Sequence, residues 1–178
     1  MVKKILSFLL KSWNNFINHI SLQIKHIRYG EGLIIHGIIF IQGRNISIGR
    51  NVTISSGKRA NVIGGDCRTI LSARENGGII IGNNVGISNA ALISYSCIKI
   101  EDNVFVGGGV KIYDSDFHSI LYEHRMERPD THIKTLPVCI KKGVFIGAHS
   151  IILRGVTIDQ KAVIGAGWFC SNQRCTGW

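Results

Sequence analysis

The sequence predicts an all-β chain wound as a triangular parallel solenoid behind one N-terminal amphipathic helix. Three observations carry that prediction: aliphatic residues recur every six positions over most of the chain, glycine and asparagine cluster between them, and the first 28 positions instead space their apolar residues by three and four. Length and composition agree. A chain of 178 residues, 45% apolar and 18% charged, can bury a core as one domain and is a poor candidate for intrinsic disorder.

Over residues 3–28, Leu6, Leu9, Leu10, Trp13, Phe16, Ile17, Ile20, Ile24 and Ile27 fall on one helical face, with Lys, Asn and His between them. The net charge is +10, and Lys3, Lys4, Lys11, Lys25 and Arg28 all precede the first acid, Glu31, so much of the charge belongs to this segment. Such a helix could cap the open end of a solenoid, pack between subunits, or make peripheral contact with an anionic membrane surface. Its apolar run at 5–10 is too short to span a bilayer or to serve as a signal peptide. Nothing beyond net charge supports nucleic-acid binding. Five cysteines, an odd number without a CxxC pair, point to a reduced cytoplasmic chain, at most at the inner face of the membrane, without a structural zinc site.

From residue 31 the period is six. Ile140, Ile146, Ile152, Ile158 and Ile164 keep it without a slip, as do Ile81, Ile87 and Ile93, then Ile100, Val106 and Ile112, and earlier Ile48 and Ile54. Four positions after the aliphatic stands a small or branched residue, such as Val52, Val85, Ala91, Val110, Ser150 or Ala162. Six is a multiple of the strand period of two and not of 3.6, so each hexad reads as a short strand plus a turn, and three hexads close one coil. A β-sandwich has no such fixed register. Two stretches depart from it: residues 55–80 read as a partly irregular coil, and residues 113–137 leave the repeat entirely. The second holds both prolines and three of the seven histidines, and a long loop on a rigid scaffold is a natural place for function.

The hexads, and above all residues 139–167, resemble the hexapeptide-repeat acyltransferases over roughly residues 45–167. The loop sequence Asp114-Ser-Asp-Phe-His118-Ser resembles the galactoside, maltose and polysaccharide O-acetyltransferase branch. That resemblance implies a left-handed parallel β-helix, a homotrimer with sites between subunits, acetyl-CoA as acyl donor, and a sugar or lipid-linked glycan acceptor in surface-polysaccharide biosynthesis. It also implies that His118 is the catalytic base, because a neutral imidazole can take the proton of an attacking hydroxyl. Asp116 or Asp114 could orient that ring, or Asp116 could cap the loop backbone. Asn89 aligns with an asparagine that contacts the acceptor or reacting carbonyl, and Ala148, Ala166 and Gly167 match the small residues along the pantetheine arm. His124, Arg125 and Arg128 could meet an anionic acceptor or only solvate the loop. His149 reads as structural. His118, His124 and His149 lack the spacing of the β-helical carbonic anhydrases, and the sequence assigns no metal.

The organisation expected is a helix at 1–30, a β-helix at 31–167 with a loop at 113–137, and an atypical tail at 168–178. After Ile-Gly-Ala-Gly the family continues with a Val-Val-Thr-Lys-Asp run, whereas this chain reads Trp168-Phe-Cys-Ser-Asn-Gln-Arg-Cys. One synonymous coding of residues 169–178, read one base later, spells FVVTKDVPG, which suggests a frameshift near codon 167. Two alternatives accompany the O-acetyltransferase reading: a serine-type acetyltransferase, and a non-catalytic β-helix with an altered C-terminus.

Overall fold

The computed structural model describes residues 2–171 and 174–175, with side chains over 9–171. The chain winds through three parallel sheets of seven, six and six strands, and every strand pairs with the strand one coil earlier or later. The first face runs from Arg28–Tyr29 through Ile46–Ile48, Gly78–Ile81, Cys97–Ile100, Val138–Ile140 and Thr157–Ile158 to Arg174–Cys175. On the second face lie Ile34–His36, Thr53–Ser55, Gly86–Ser88, Phe105–Val106, Phe145–Ile146 and Val163–Ile164. Phe40–Gln42, Ile70–Ala73, Ala91–Ser94, Lys111–Tyr113, Ile151–Ile152 and Phe169–Cys170 make the third.

The aliphatic column is the core. Ile112, Ile140, Ile146, Ile152 and Ile158 are fully buried, and Val110, Val144, Ser150, Val156 and Ala162 fill the second inward position of their hexads. Each fully buried isoleucine contributes roughly 1.5–3 kcal/mol relative to an exposed one. No single coil could bury its own inner face, so stacking is what stabilises the repeat. Within the run Ile81, Ile87, Ile93 one position is displaced. Leu92 rather than Ile93 pairs with Ile112 and is buried, and Ala90 rather than Ala91 takes the small inward position. The step from Ile87 to Leu92 is one residue shorter than the step from Val106 to Ile112 stacked on it.

The solenoid begins at Arg28, whose strand pairs with Ile46–Ile48, three residues before the expected boundary. Helix α1 (Val2–Ile24) caps its open end: Asn18 Nδ2 donates to Gly37 O at 2.8 Å, its Oδ1 accepts from Ile39 N at 3.2 Å, and Leu22 is buried. The opposite stripe of α1, with Leu9, Trp13, Phe16 and Ile24, is exposed. Among the described residues, no helix is long and apolar enough to cross a membrane.

The irregular stretch is shorter than expected. Ile70–Ala73 and Gly78–Ile81 pair in register with their neighbours, and residues 56–69, with a turn at 74–77, leave the coil. Residues 56–69 depart from the edge between the second and third faces and fold back over it. The tail stays in the ladder as well: Phe169 and Cys170 pair with Ile151 and Ile152, and Cys170 is buried. Residues 172–173 and 176–178, over which the altered tail continues, lie outside the described residues.

Candidate active site

The loop that carries His118 leaves the third face after Tyr113 and re-enters the first face at Val138. It is fastened to the coils on either side. Below, the buried Asp114 carboxylate accepts hydrogen bonds from Ser94 Oγ (2.6 Å), Tyr95 N (2.7 Å) and Ser96 N (2.9 Å). Above, Asp116 pairs with Arg154 at 2.6 Å, their side chains only 16% and 11% exposed, and Gly155 N donates to Leu136 O. Phe117 packs edge-on against Tyr95 and Tyr113 and sits at φ +63°, a left-handed conformation costly for a bulky side chain. That kink directly precedes His118.

His118 is presented to solvent, its side chain 75% exposed, and the carboxylate facing it is that of Asp130, with 3.8 Å between Nδ1 and Oδ2. Asp130 is held in turn by Ser119, whose N–H donates to Oδ2 at 2.8 Å and whose hydroxyl donates to Oδ1. The Ser119 hydroxyl, then its N–H, hold the Asp130 carboxyl below its ordinary value, with smaller help from the His132 N–H and from His118, against a partial loss of solvent. The carboxylate nearest the His118 ring is therefore that of Asp130, and not Asp114 or Asp116. Both expected carboxylates are committed elsewhere, to a corner of backbone and to an arginine. Beside the loop lies a cleft of about 470 Å³, lined in part by Asp116, Ser119, His124 and Lys134.

Asn89 does not offer its amide to a ligand. It is buried at a left-handed corner (φ +44°), its Oδ1 accepts from Gly57 N at 2.8 Å, and its Nδ2 donates to Asn61 O at 2.6 Å. The covering segment 57–66 explains this, because a Cβ on Gly64 would overlap Asn89. The asparagine locks an irregular loop onto the coil.

Ala148, Ala166 and Gly167 stand on the edge between the second and third faces. Here the corner residues stack coil upon coil: His149 N donates to Gly108 O and Gly167 N to Ala148 O, both at 2.8 Å. A Cβ on Gly107 would meet the Ala148 backbone at 2.8 Å, and one on Gly147 the Ala166 backbone at 2.5 Å, so the stacking requires glycine. A Cβ on Gly165 or Gly167 would meet only open space. The result is a short strip of exposed backbone at Gly165, Ala166 and Gly167 beside half-buried Ala148, while Gly108 and Gly147 on the same edge are buried. His118 belongs to the next edge, between the third and first faces, so one chain does not bring its histidine and this strip to the same edge.

Residues 137–169 match the family model described as the hexapeptide repeat of succinyl-transferase. The chain carries the hexapeptide repeat. It is 32% identical over 90 residues to the galactoside O-acetyltransferase of Escherichia coli strain K12, a stretch covering 50% of this chain and 42% of that protein. The chain thus spans less than half the length of this curated relative. Among solved structures it is similar to the N-acyltransferase AntD of Bacillus cereus in complex with dTDP-4-amino-4,6-dideoxyglucose and coenzyme A, with TM-score 0.67, 26% identity, and coverage of 85% of this chain and 75% of that one. A galactoside acetyltransferase in complex with coenzyme A shares the fold, with TM-score 0.51, 23% identity, and coverage of 83% and 56%. The solenoid is accordingly the left-handed parallel β-helix of the hexapeptide-repeat acetyltransferases.

Proposed function

We propose that this hexapeptide-repeat chain is an acetyl-CoA-dependent O-acetyltransferase acting on a sugar hydroxyl, with His118 as general base. The observation that carries the reading is an exposed imidazole backed by an anchored carboxylate on a loop fastened to both neighbouring coils. His118 takes the proton of the acceptor hydroxyl while that oxygen forms a bond to the thioester carbonyl carbon. The negative charge on the carbonyl oxygen is met by backbone N–H groups, since the Asn89 amide is already engaged. Collapse breaks the C–S bond, and the protonated His118 returns its proton to the departing thiolate of CoA. The imidazole Asp130 faces gains positive charge in this step, and the carboxylate stabilises it.

A homotrimer would complete the site, bringing the bare edge of one copy beside the His118 loop of the next. Exposed Phe105, Phe145 and Val163 support this, because they stack in register along the second face as one apolar ladder. The free stripe of α1, with Lys11 and Lys25 on the same helix or just beyond it, supports peripheral contact with anionic lipid, where a lipid-linked glycan would be met. On this reading the chain works at the cytoplasmic side of a membrane, in surface-polysaccharide biosynthesis.

Calorimetric titration with acetyl-CoA, followed by a panel of hexoses, nucleotide sugars and amino sugars, tests the proposal. Acetyl ester formation is expected, and transfer only to amines would move the acceptor to the class of the AntD ligand. A second reading, a non-catalytic β-helix, is favoured by the departure from the family pattern at 168–178. It predicts no acetyl-CoA binding until residues 169–177 are replaced by FVVTKDVPG.

A further inference from the structure

The His118 loop contains a second cluster that the acetyl-transfer reading leaves unused. Helix α2 (Tyr122–Met126) is a single turn closed by the Glu127 N–H on His124 O at 3.1 Å, which sets His124 and Glu127 three residues apart on one side. The chain then turns through Asp130, which is fastened back to Ser119, and returns along the loop, with Asp116 N donating to Lys134 O at 3.1 Å. This return lays His132 against the helical turn. Its ring stacks on that of His124, centroids 3.9 Å apart and planes 20° from parallel, and its Nδ1 lies 3.3 Å from Glu127 Oε2.

We propose that His124, Glu127 and His132 bind a divalent transition-metal ion of the zinc type, which clasps the helical turn to the returning strand. One ligating atom from each residue falls within 4.8 Å of the others. Zinc bonds of about 2.0–2.1 Å to nitrogen and oxygen place the donors of a tetrahedral set roughly 3.3 Å apart. The His132–Glu127 pair already has that spacing. The third donor, from His124, lies within 4.8 Å of the other two, so it has to move closer by an ångström or so to complete the triangle. Two imidazoles and one carboxylate form the donor set that selects borderline ions over magnesium or calcium, which prefer oxygen alone. Three protein ligands leave a coordination position open to water.

Of the three cations near the cluster, Lys134 lines the same cleft as His124 and His132, and the two arginines are turned to backbone. The Arg125 guanidinium donates to Ser119 O and Ile120 O, and that of Arg128 to Arg125 O and Glu127 O, so both cations are directed at backbone carbonyls. The cluster also differs from the acid-base pair, because His118 and Asp130 supply none of its ligands. A bound ion would restrain residues 119–134 and thereby steady the segment next to His118.

The test uses the full chain after chelator treatment, carrying Cys67→Ser to remove an exposed thiol that could bind zinc itself. Titration with zinc chloride, with magnesium chloride as control, should show one equivalent of zinc and no magnesium response. His124→Ala and His132→Ala should each weaken zinc binding by about tenfold or more, with Glu127→Gln between them and the parent. Hydrogen exchange should slow over residues 119–134 on zinc addition in the parent and not in the histidine variants. Equal melting temperatures without metal establish that these loop substitutions leave the β-helix intact. Zinc affinity unchanged in both histidine variants, protection appearing outside the loop, or no zinc response at all would overturn the proposal. None of these readouts depends on acetyl transfer, so failure of the functional reading would be seen separately.

Discussion

The Asp130 carboxylate, gripped by both the N–H and the hydroxyl of Ser119, faces the His118 imidazole with 3.8 Å between Oδ2 and Nδ1. Asp130 is thus a positioning residue for the proposed base. Asp130→Asn keeps the shape but removes the charge that favours an imidazolium. It should lower kcat by about tenfold to a hundredfold. KM for acetyl-CoA should stay nearly constant, because Asp130 faces the imidazole and is held by Ser119 rather than being part of the proposed donor strip. Steady-state kinetics with varied acetyl-CoA separates the two parameters.

The same anchoring gives the loop an acid limit. Asp130 has a folded-state value below its ordinary one, so its contribution is fully present above the ordinary carboxylate range and is lost as pH falls through the depressed value. Limited proteolysis within residues 114–137 should therefore be unchanged from neutral pH down to about 4, and should accelerate only below it. Cleavage that rises between neutral pH and that point would place the anchor elsewhere.

Arg154 and Asp116 couple the loop to the coil above. Their side chains are largely covered, so Arg154→Met leaves a carboxylate with little solvent and no cation. Removing one partner of a buried ion pair costs about 3–5 kcal/mol, and the small residual exposure of this pair puts it at the lower end. The loss should appear as faster hydrogen exchange in the loop and its flanking corner, with the isoleucine column unaffected. A uniform loss over the whole chain would contradict a local role.

Phe105 and Phe145 pair across neighbouring strands of the second face and project outward. Substituting both by serine removes exposed apolar area and no core atom. The double variant should keep its circular dichroism spectrum, sediment as a monomer, and lose acetyl transfer. A variant that stays trimeric would assign the interface to another face.

Much of the fold was legible because the hexad is commensurate with the strand period. Ile140, Ile146, Ile152 and Ile158 all proved buried at the positions the spacing requires. The slip at Leu92 was not legible, since Ile93 next to it fits the pattern equally well and only the length of the corner decides between them. At the site, His118 lies on the loop that the lost repeat marked out, with its side chain exposed. Asp130 was missed because eleven residues of loop separate it from His118, and only the Ser119 clasp brings them together. Asn89 misled for a related reason: residues 57–66 look like a broken coil, and nothing local shows that they fold back to occupy its amide. His124 and Glu127 have helical spacing, but His132 joins them only through the turn at Asp130, so no linear motif marks the trio.

The most direct test of the account is acetyl transfer from acetyl-CoA to a sugar acceptor, followed by release of CoA thiol and by mass spectrometry of the product, for the natural chain and for His118→Ala. The exposed ring contributes little packing, so the variant should fold and bind acetyl-CoA like the parent. Turnover should fall by about a hundredfold or more, as expected for loss of a general base. Full turnover by a folded His118→Ala chain would contradict the account.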